Sequence, residues 1–110
     1  MERYVIMKFR EGKTEEFLSL FESKKHLIAS FHGCEHLELL RSEKHPDWFM
    51  TFSIWKNEDC LENYRKSVLF EQVWSKVKPL FCYKAEALSV FPELEGDVKK
   101  RKEFLAKFEN

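Results

Sequence analysis

A chain of 110 residues suits one domain, and such a chain buries roughly 65% of its unfolded surface, enough for a real core. Apolar residues at 44% and aromatics at 15%, with 11 Phe, exclude disorder for most of the chain. The 19 basic and 19 acidic residues cancel with no basic stripe, which argues against nucleic acid or an anionic membrane as partner. The longest basic cluster, Lys99, Lys100, Arg101 and Lys102, reads as a solvated helix face. Cys34, Cys60 and Cys82 lie far apart without CxxC spacing, against both a disulfide framework and a closed zinc site. The N-terminus shows no basic segment followed by an apolar one, and no apolar run approaches the ~20 residues that span a bilayer. The chain reads as soluble, reduced and cytoplasmic.

In chain order, Tyr4–Phe9 (YVIMKF) reads as a strand that ends at Glu11-Gly12. From Thr14, a candidate N-cap, to about Phe31 the spacing turns helical, with Phe17, Leu20, Phe21, Leu27, Ile28 and Phe31 on one face. His32-Gly33 closes that helix, and Glu35–Ser42 is a second strand. His45-Pro46-Asp47 breaks it, and Trp48–Trp55 is a third. Asn57 caps a short helix with Glu58 and Asp59 in its first turn, where carboxylates favour the helix dipole. A further helical run carries Leu69, Phe70, Val73, Trp74, Val77 and Leu80, with Pro79 near its end. Tyr83–Phe91 alternates as a fourth strand, stopped by Pro92. From about Asp97 to Phe108 a charged helix has Val98, Phe104, Leu105 and Phe108 as its thin apolar side. The order β-α-β-β-α-β is the split βαβ arrangement of a ferredoxin-like α+β fold, with a domain over 1–92 and a helical tail over 93–110.

The third strand is apolar on both sides. Phe49, Thr51, Ser53 and Trp55 look one way, and Trp48, Met50, Phe52 and Ile54 the other. Two helical layers on one side of an antiparallel sheet bury one face only. The tail helix reads as too thin to cover the second, and four such side chains left wet would cost about 1.5–3 kcal/mol each relative to burial. A second copy packed sheet to sheet through Trp48, Met50, Phe52 and Ile54 is the simplest cover. On the helix-facing side, the hydroxyls of Thr51 and Ser53 either satisfy nearby backbone groups or line an aromatic pocket as its orienting polar atoms.

Three stretches, FREGKTEEFLSLF, FHGCEHLELLRS and FSIWKNEDCLENYRKSVLFEQVW, resemble the antibiotic biosynthesis monooxygenase domain over about residues 3–91. The resemblance implies a dimeric α+β barrel, each subunit keeping a pocket between sheet and helices. It also implies oxidation of an aromatic or quinol substrate by O₂ without flavin or metal, so that no cofactor is expected. By the same resemblance Trp55 is the strand-three pocket Trp. Tyr64 and Leu69 stand where many members have His. Trp74 and Val5 stand where haem-degrading relatives have an iron-ligating His and an Asn. An indole is no axial ligand, so haem degradation is not expected.

The substrate-binding candidates are therefore Phe49, Thr51, Ser53, Trp55, Tyr64, Phe70 and Trp74, with Trp55, Tyr64 and His36 as the catalytic candidates. Tyr64 could donate a hydrogen bond to a substrate oxygen or be an ordinary core Tyr, and His36 could reach the pocket or the dimer seam. His26 and His45 read as surface residues, His32 as a helix-end residue, and Cys34 and Cys60 as small buried hydrophobes. No Ser-His-Asp set, nucleotide loop or metal-spaced cluster is visible. Two functions stay open: a cofactor-independent monooxygenase-like enzyme, and a non-catalytic dimeric domain that binds a small hydrophobic ligand.

Overall fold

The computed structural model describes residues 1–90 and 95–109, the side chains of 95–100 and 109 excepted. Strands β1 (Glu2–Lys8), β2 (Cys34–Arg41), β3 (Trp48–Trp55) and β4 (Glu86–Val90) form one antiparallel sheet in the order β2-β3-β1-β4. Helices α1 (Thr14–Ala29), α2 (Glu58–Arg65) and α3 (Val68–Val77) follow the first and third strands, and a 3₁₀ turn over Lys78–Leu80 carries Pro79. The fold is the expected α+β arrangement, with α4 (Glu95–Glu109) added at the end.

Local chemistry sets most boundaries. Asn57 caps α2 as anticipated, its Oδ1 accepting from the Cys60 amide at 2.9 Å. Ser67 caps α3 in the same way, accepting from the Phe70 amide at 3.1 Å. Thr14, however, is the first helical residue and not the cap. Lys13 holds the cap position, and the buried Thr14 hydroxyl donates to Asp47 in the β2–β3 connection. α1 ends at Ala29, before Phe31, which leaves the helix and packs its ring edge-on against Tyr64. Gly33 at φ +86 turns the chain into β2. β4 starts at Glu86, later than Tyr83, because its pairing with β1 begins at Ile6–Glu86. Phe91, Pro92 and the 92/93 boundary lie outside the described residues, as does the Val98 side chain.

Strict alternation sorts each strand into two rows. Facing α1–α3 are Met7, Phe49 and Trp55, buried with Phe9, Phe17, Ile28, Leu61, Tyr64 and Val73. The opposite row forms a second cluster of Tyr4, Ile6, Met50 and Val90.

That second cluster corrects the reading of the tail. Phe104 and Phe108 of α4 are buried to 8% and 6% exposure against Tyr4, Ile6, Met50 and Val90, with Leu105 beside them. Spaced four apart, the two rings fall on one helix stripe, and two large rings cover what a count of apolar residues understates. Arg101 pairs with Glu2 at 2.6 Å and Lys107 with Glu86 at 3.6 Å, tethering α4 to β1 and β4. Met50, read as part of a dimer surface, is only 4% exposed within the single chain. The β2 side of the same face stays open. Leu40 is 38% exposed there, beside exposed His36 and Glu38 and half-buried Phe52 and Ile54.

Candidate functional site

Between the inner row of the sheet and helices α1–α3 lies a cavity of about 290 Å³. A cavity of about 150 Å³ accepts a benzene ring. The space here therefore suits a molecule of one or two fused rings, at the small end of ligand sites.

Its aromatic wall is built from α2 outward. The Asn57 cap fixes the start of α2, and one face of the helix buries Cys60, Leu61 and Tyr64. The Tyr64 ring stacks on Trp55 with centroids 5.1 Å apart and meets Phe31 and Phe70 edge-on at 5.3 and 5.2 Å. Phe70 in turn touches Trp74 at 5.6 Å, extending the wall along α3. Trp55 is 1% exposed, and its indole N–H donates to Ser53 Oγ at 3.0 Å. The Ser53 hydroxyl thus satisfies a buried donor, while Thr51 makes no side-chain hydrogen bond among the described residues and faces the cavity. Burial pushes the Tyr64 phenol well above its ordinary value, with Cys34 nearby adding to the rise. Tyr64 therefore stays protonated at neutral pH and can donate a hydrogen bond in this site, but it is not a base.

Of the predicted binding residues, Thr51, Ser53, Trp55, Tyr64, Phe70 and Trp74 all border the cavity. Phe49 does not; it is buried behind the wall, 5.3 Å from Phe17 and 5.8 Å from Phe9. His36 points from the opposite face of the sheet, where it pairs with Glu38 and lies 5.6 Å from Phe52, so it cannot reach a ligand in the cavity. The register explains this, because His36 is opposite Ile54 and shares its face. His45 stacks on Trp48, and His26 and His32 are exposed. Among the described residues no histidine or carboxylate borders the cavity. Nor do three His, Cys, Asp or Glu side chains converge among them to hold a metal ion.

Sequence reading missed Arg3, Arg65 and Lys78, the charged groups of the cavity lining. Arg3 follows from alternation, being on the same row as Val5 and Met7. Across the sheet it sits between Ser53 on β3 and Ser89 on β4, and its Nη1 donates to Ser89 Oγ at 2.9 Å. Burial holds the Arg3 guanidinium below its usual value, Arg65 pushes the same way, and Glu62 opposes. Arg65 is exposed and ion-paired with Glu62 at 2.9 Å.

The profile of the antibiotic biosynthesis monooxygenase family matches residues 4–74, more than half of the chain, and the chain belongs to that family. No curated protein matches it in sequence. Among solved structures it is similar to one named "Putative antibiotic biosynthesis monooxygenase from Nitrosomonas europaea", with TM-score 0.74 at 14% identity over 79% of this chain and 92% of that one. A conserved protein from Methanosarcina mazei superposes with TM-score 0.75 at 19% identity, over 79% and 87%. A third, named an antibiotic biosynthesis monooxygenase, gives 0.74 at 13% identity, over 84% and 100%. At these identities the likeness is one of fold. No helix among the described residues is long and apolar enough to cross a membrane.

Proposed function

We propose that the chain is a monooxygenase that oxidises a small aromatic or quinol-type molecule with O₂, without flavin or metal. The observation that carries this is the aromatic cavity whose wall holds the hydroxyls of Thr51, Ser53 and Tyr64, the last a phenol that burial keeps protonated. In such chemistry the electron-rich ring itself reduces O₂, and the protein binds, orients and dries it. For an anthrone-type ring CH₂, one oxygen atom becomes the carbonyl and the other leaves as water with the two hydrogens. Trp55 and Tyr64 would hold the ring, and Thr51 and the Tyr64 O–H would orient its oxygens.

The second reading, a non-catalytic domain that binds a small hydrophobic ligand, is favoured by the lack of any histidine or carboxylate on the described cavity wall. Oxygen uptake by metal-free protein against a panel of quinols and anthrones separates the two. Turnover that falls in Trp55→Ala and Tyr64→Phe supports the enzyme. Saturable binding of the same compounds with no uptake leaves the binding domain.

We further propose a homodimer through the open half of the outer face, with Phe52, Ile54, Trp48 and Leu40 at its centre and Met50 left beneath α4. Sedimentation at micromolar concentration should give twice the 13.3 kDa chain mass, and Phe52→Glu the single-chain mass. A wild-type monomer would sink the idea. The three cysteines are all free, which suits a reducing compartment, and we assign the protein to the cytoplasm.

A further inference from the structure

We propose that the row Ser53–Arg3–Ser89 is an anion subsite, so that the cavity takes its aromatic ligand as an anion, held through a carboxylate or an ionised ring oxygen by the Arg3 guanidinium. This rests on the reading of the cavity as an aromatic binding site and adds the charge of what enters it.

Three observations converge. First, Arg3 is half-buried on the cavity wall, and no carboxylate pairs with it among the described residues, whereas Arg65 and Arg101 each have one. A guanidinium carries five N–H donors in a planar fork matched to a carboxylate. Ser89 Oγ occupies one of them, which orients the group without neutralising it. Second, its neighbours on the inner face are hydroxyls. Ser53, on the cavity wall, is directly opposite on β3, and Ser89, exposed and just outside the lining, on β4, so a polar row crosses the sheet beside the row Thr51–Val5–Ala87. A ring against Val5 and Ala87 has its charged substituent within reach of Arg3. Third, the other charged groups of the lining, Arg65 and Lys78, are also cations. Arg65 beside Arg3 disfavours the charge on Arg3, but its partner Glu62 opposes that effect, so Arg3 itself is the group an anion would meet. With no described imidazole or carboxylate on the wall to accept a proton, a ligand that arrives ionised needs none.

Quenching of tryptophan fluorescence at pH 7 tests this with two probes of one shape, 2-naphthoate (an anion) and 2-naphthol (neutral). Wild-type protein should bind 2-naphthoate about tenfold to a hundredfold more tightly. Arg3→Met should abolish the preference, the loss falling mainly on 2-naphthoate, and Arg3→Lys should keep part of it. Arg65→Met should change it little, because Glu62 already neutralises that exposed group. A rise of 2-naphthol affinity above pH 9, matching 2-naphthoate and lost in Arg3→Met, identifies a ring oxygenate as a second acceptable anion. Its absence restricts the site to carboxylates. Equal binding of both probes at pH 7 by wild type overturns the anion subsite and leaves the aromatic cavity standing. Failure of both to bind overturns the cavity reading and the subsite together.

Discussion

The indole N–H of Trp55 donates to the hydroxyl of Ser53, two residues earlier on the same face of β3. Both residues are buried, and the bond is what allows a tryptophan to stand in an apolar wall with its polar edge satisfied. Ser53→Ala should cost about 1–3 kcal/mol in denaturant unfolding, since it strands a buried donor. In a double-mutant cycle with Trp55→Phe, which has no N–H, the pair should cost less than the sum of the singles. Strict additivity would show that the hydrogen bond contributes nothing.

Gly33 should tolerate no side chain. A Cβ there would lie 2.4 Å from Cys60 Cβ and 2.5 Å from its Sγ, at φ +86. Gly33→Ala therefore adds a clash to the roughly 1–2 kcal/mol of left-handed strain. Cys60→Ala in the same chain should recover only part of the loss, because the Cys60 Cβ remains. Thermal unfolding of the two variants beside wild type measures this; a Gly33→Ala protein as stable as wild type would contradict the geometry.

Stability should fall in alkali. Burial raises the folded-state values of Tyr64, Tyr4 and Cys34. The unfolded chain then loses its protons first, at about pH 8.5 for the thiol and about 10 for the phenols. Each contribution is fully present below the unfolded value and is lost as pH rises toward the folded one. Chemical denaturation between pH 7 and 11 should show a falling limb, and Tyr64→Phe should flatten it. A limb unchanged in that variant would mean that Tyr64 ionises freely in the fold.

The attachment of α4 is a separate unit of stability. Phe108→Ala removes a buried ring, a change of about 3–5 kcal/mol in a core that stays assembled. Among the described residues, Phe104, Leu105, Phe108 and two ion pairs hold this helix at one edge of the fold, so it should detach before the sheet unfolds. Hydrogen exchange should then show lost protection in α4, with β1 and β3 protected as before. Uniform loss across the sheet would make α4 part of a single cooperative core.

Local pattern was enough for the order and type of the elements and for much of the cavity wall, but not for the α1 cap or the start of β4. The alternation through Trp48–Trp55 separated Thr51, Ser53 and Trp55 from Met50 and Phe52, and helical spacing put Tyr64, Phe70 and Trp74 toward the sheet. Phe49 shares the inner row with Trp55, yet alternation reports only the face and not the depth, and Phe9 and Phe17 close over it. His36 shows the converse: its place in the strand was legible, but the face it shares with Ile54 follows from the β2–β3 register, which bulges between Cys34 and His36.

The element order, the Asn57 cap and the two-faced character of β3 are written in the local amino-acid order, because each depends on residues within a turn or a few strand positions of one another. That Arg3 meets Ser89, 86 residues away, and that Phe104 and Phe108 fold back onto Tyr4 and Met50, comes from long-range packing. Sheet order and helix docking bring those groups together, and they are settled by total burial over the whole chain, which no local period records.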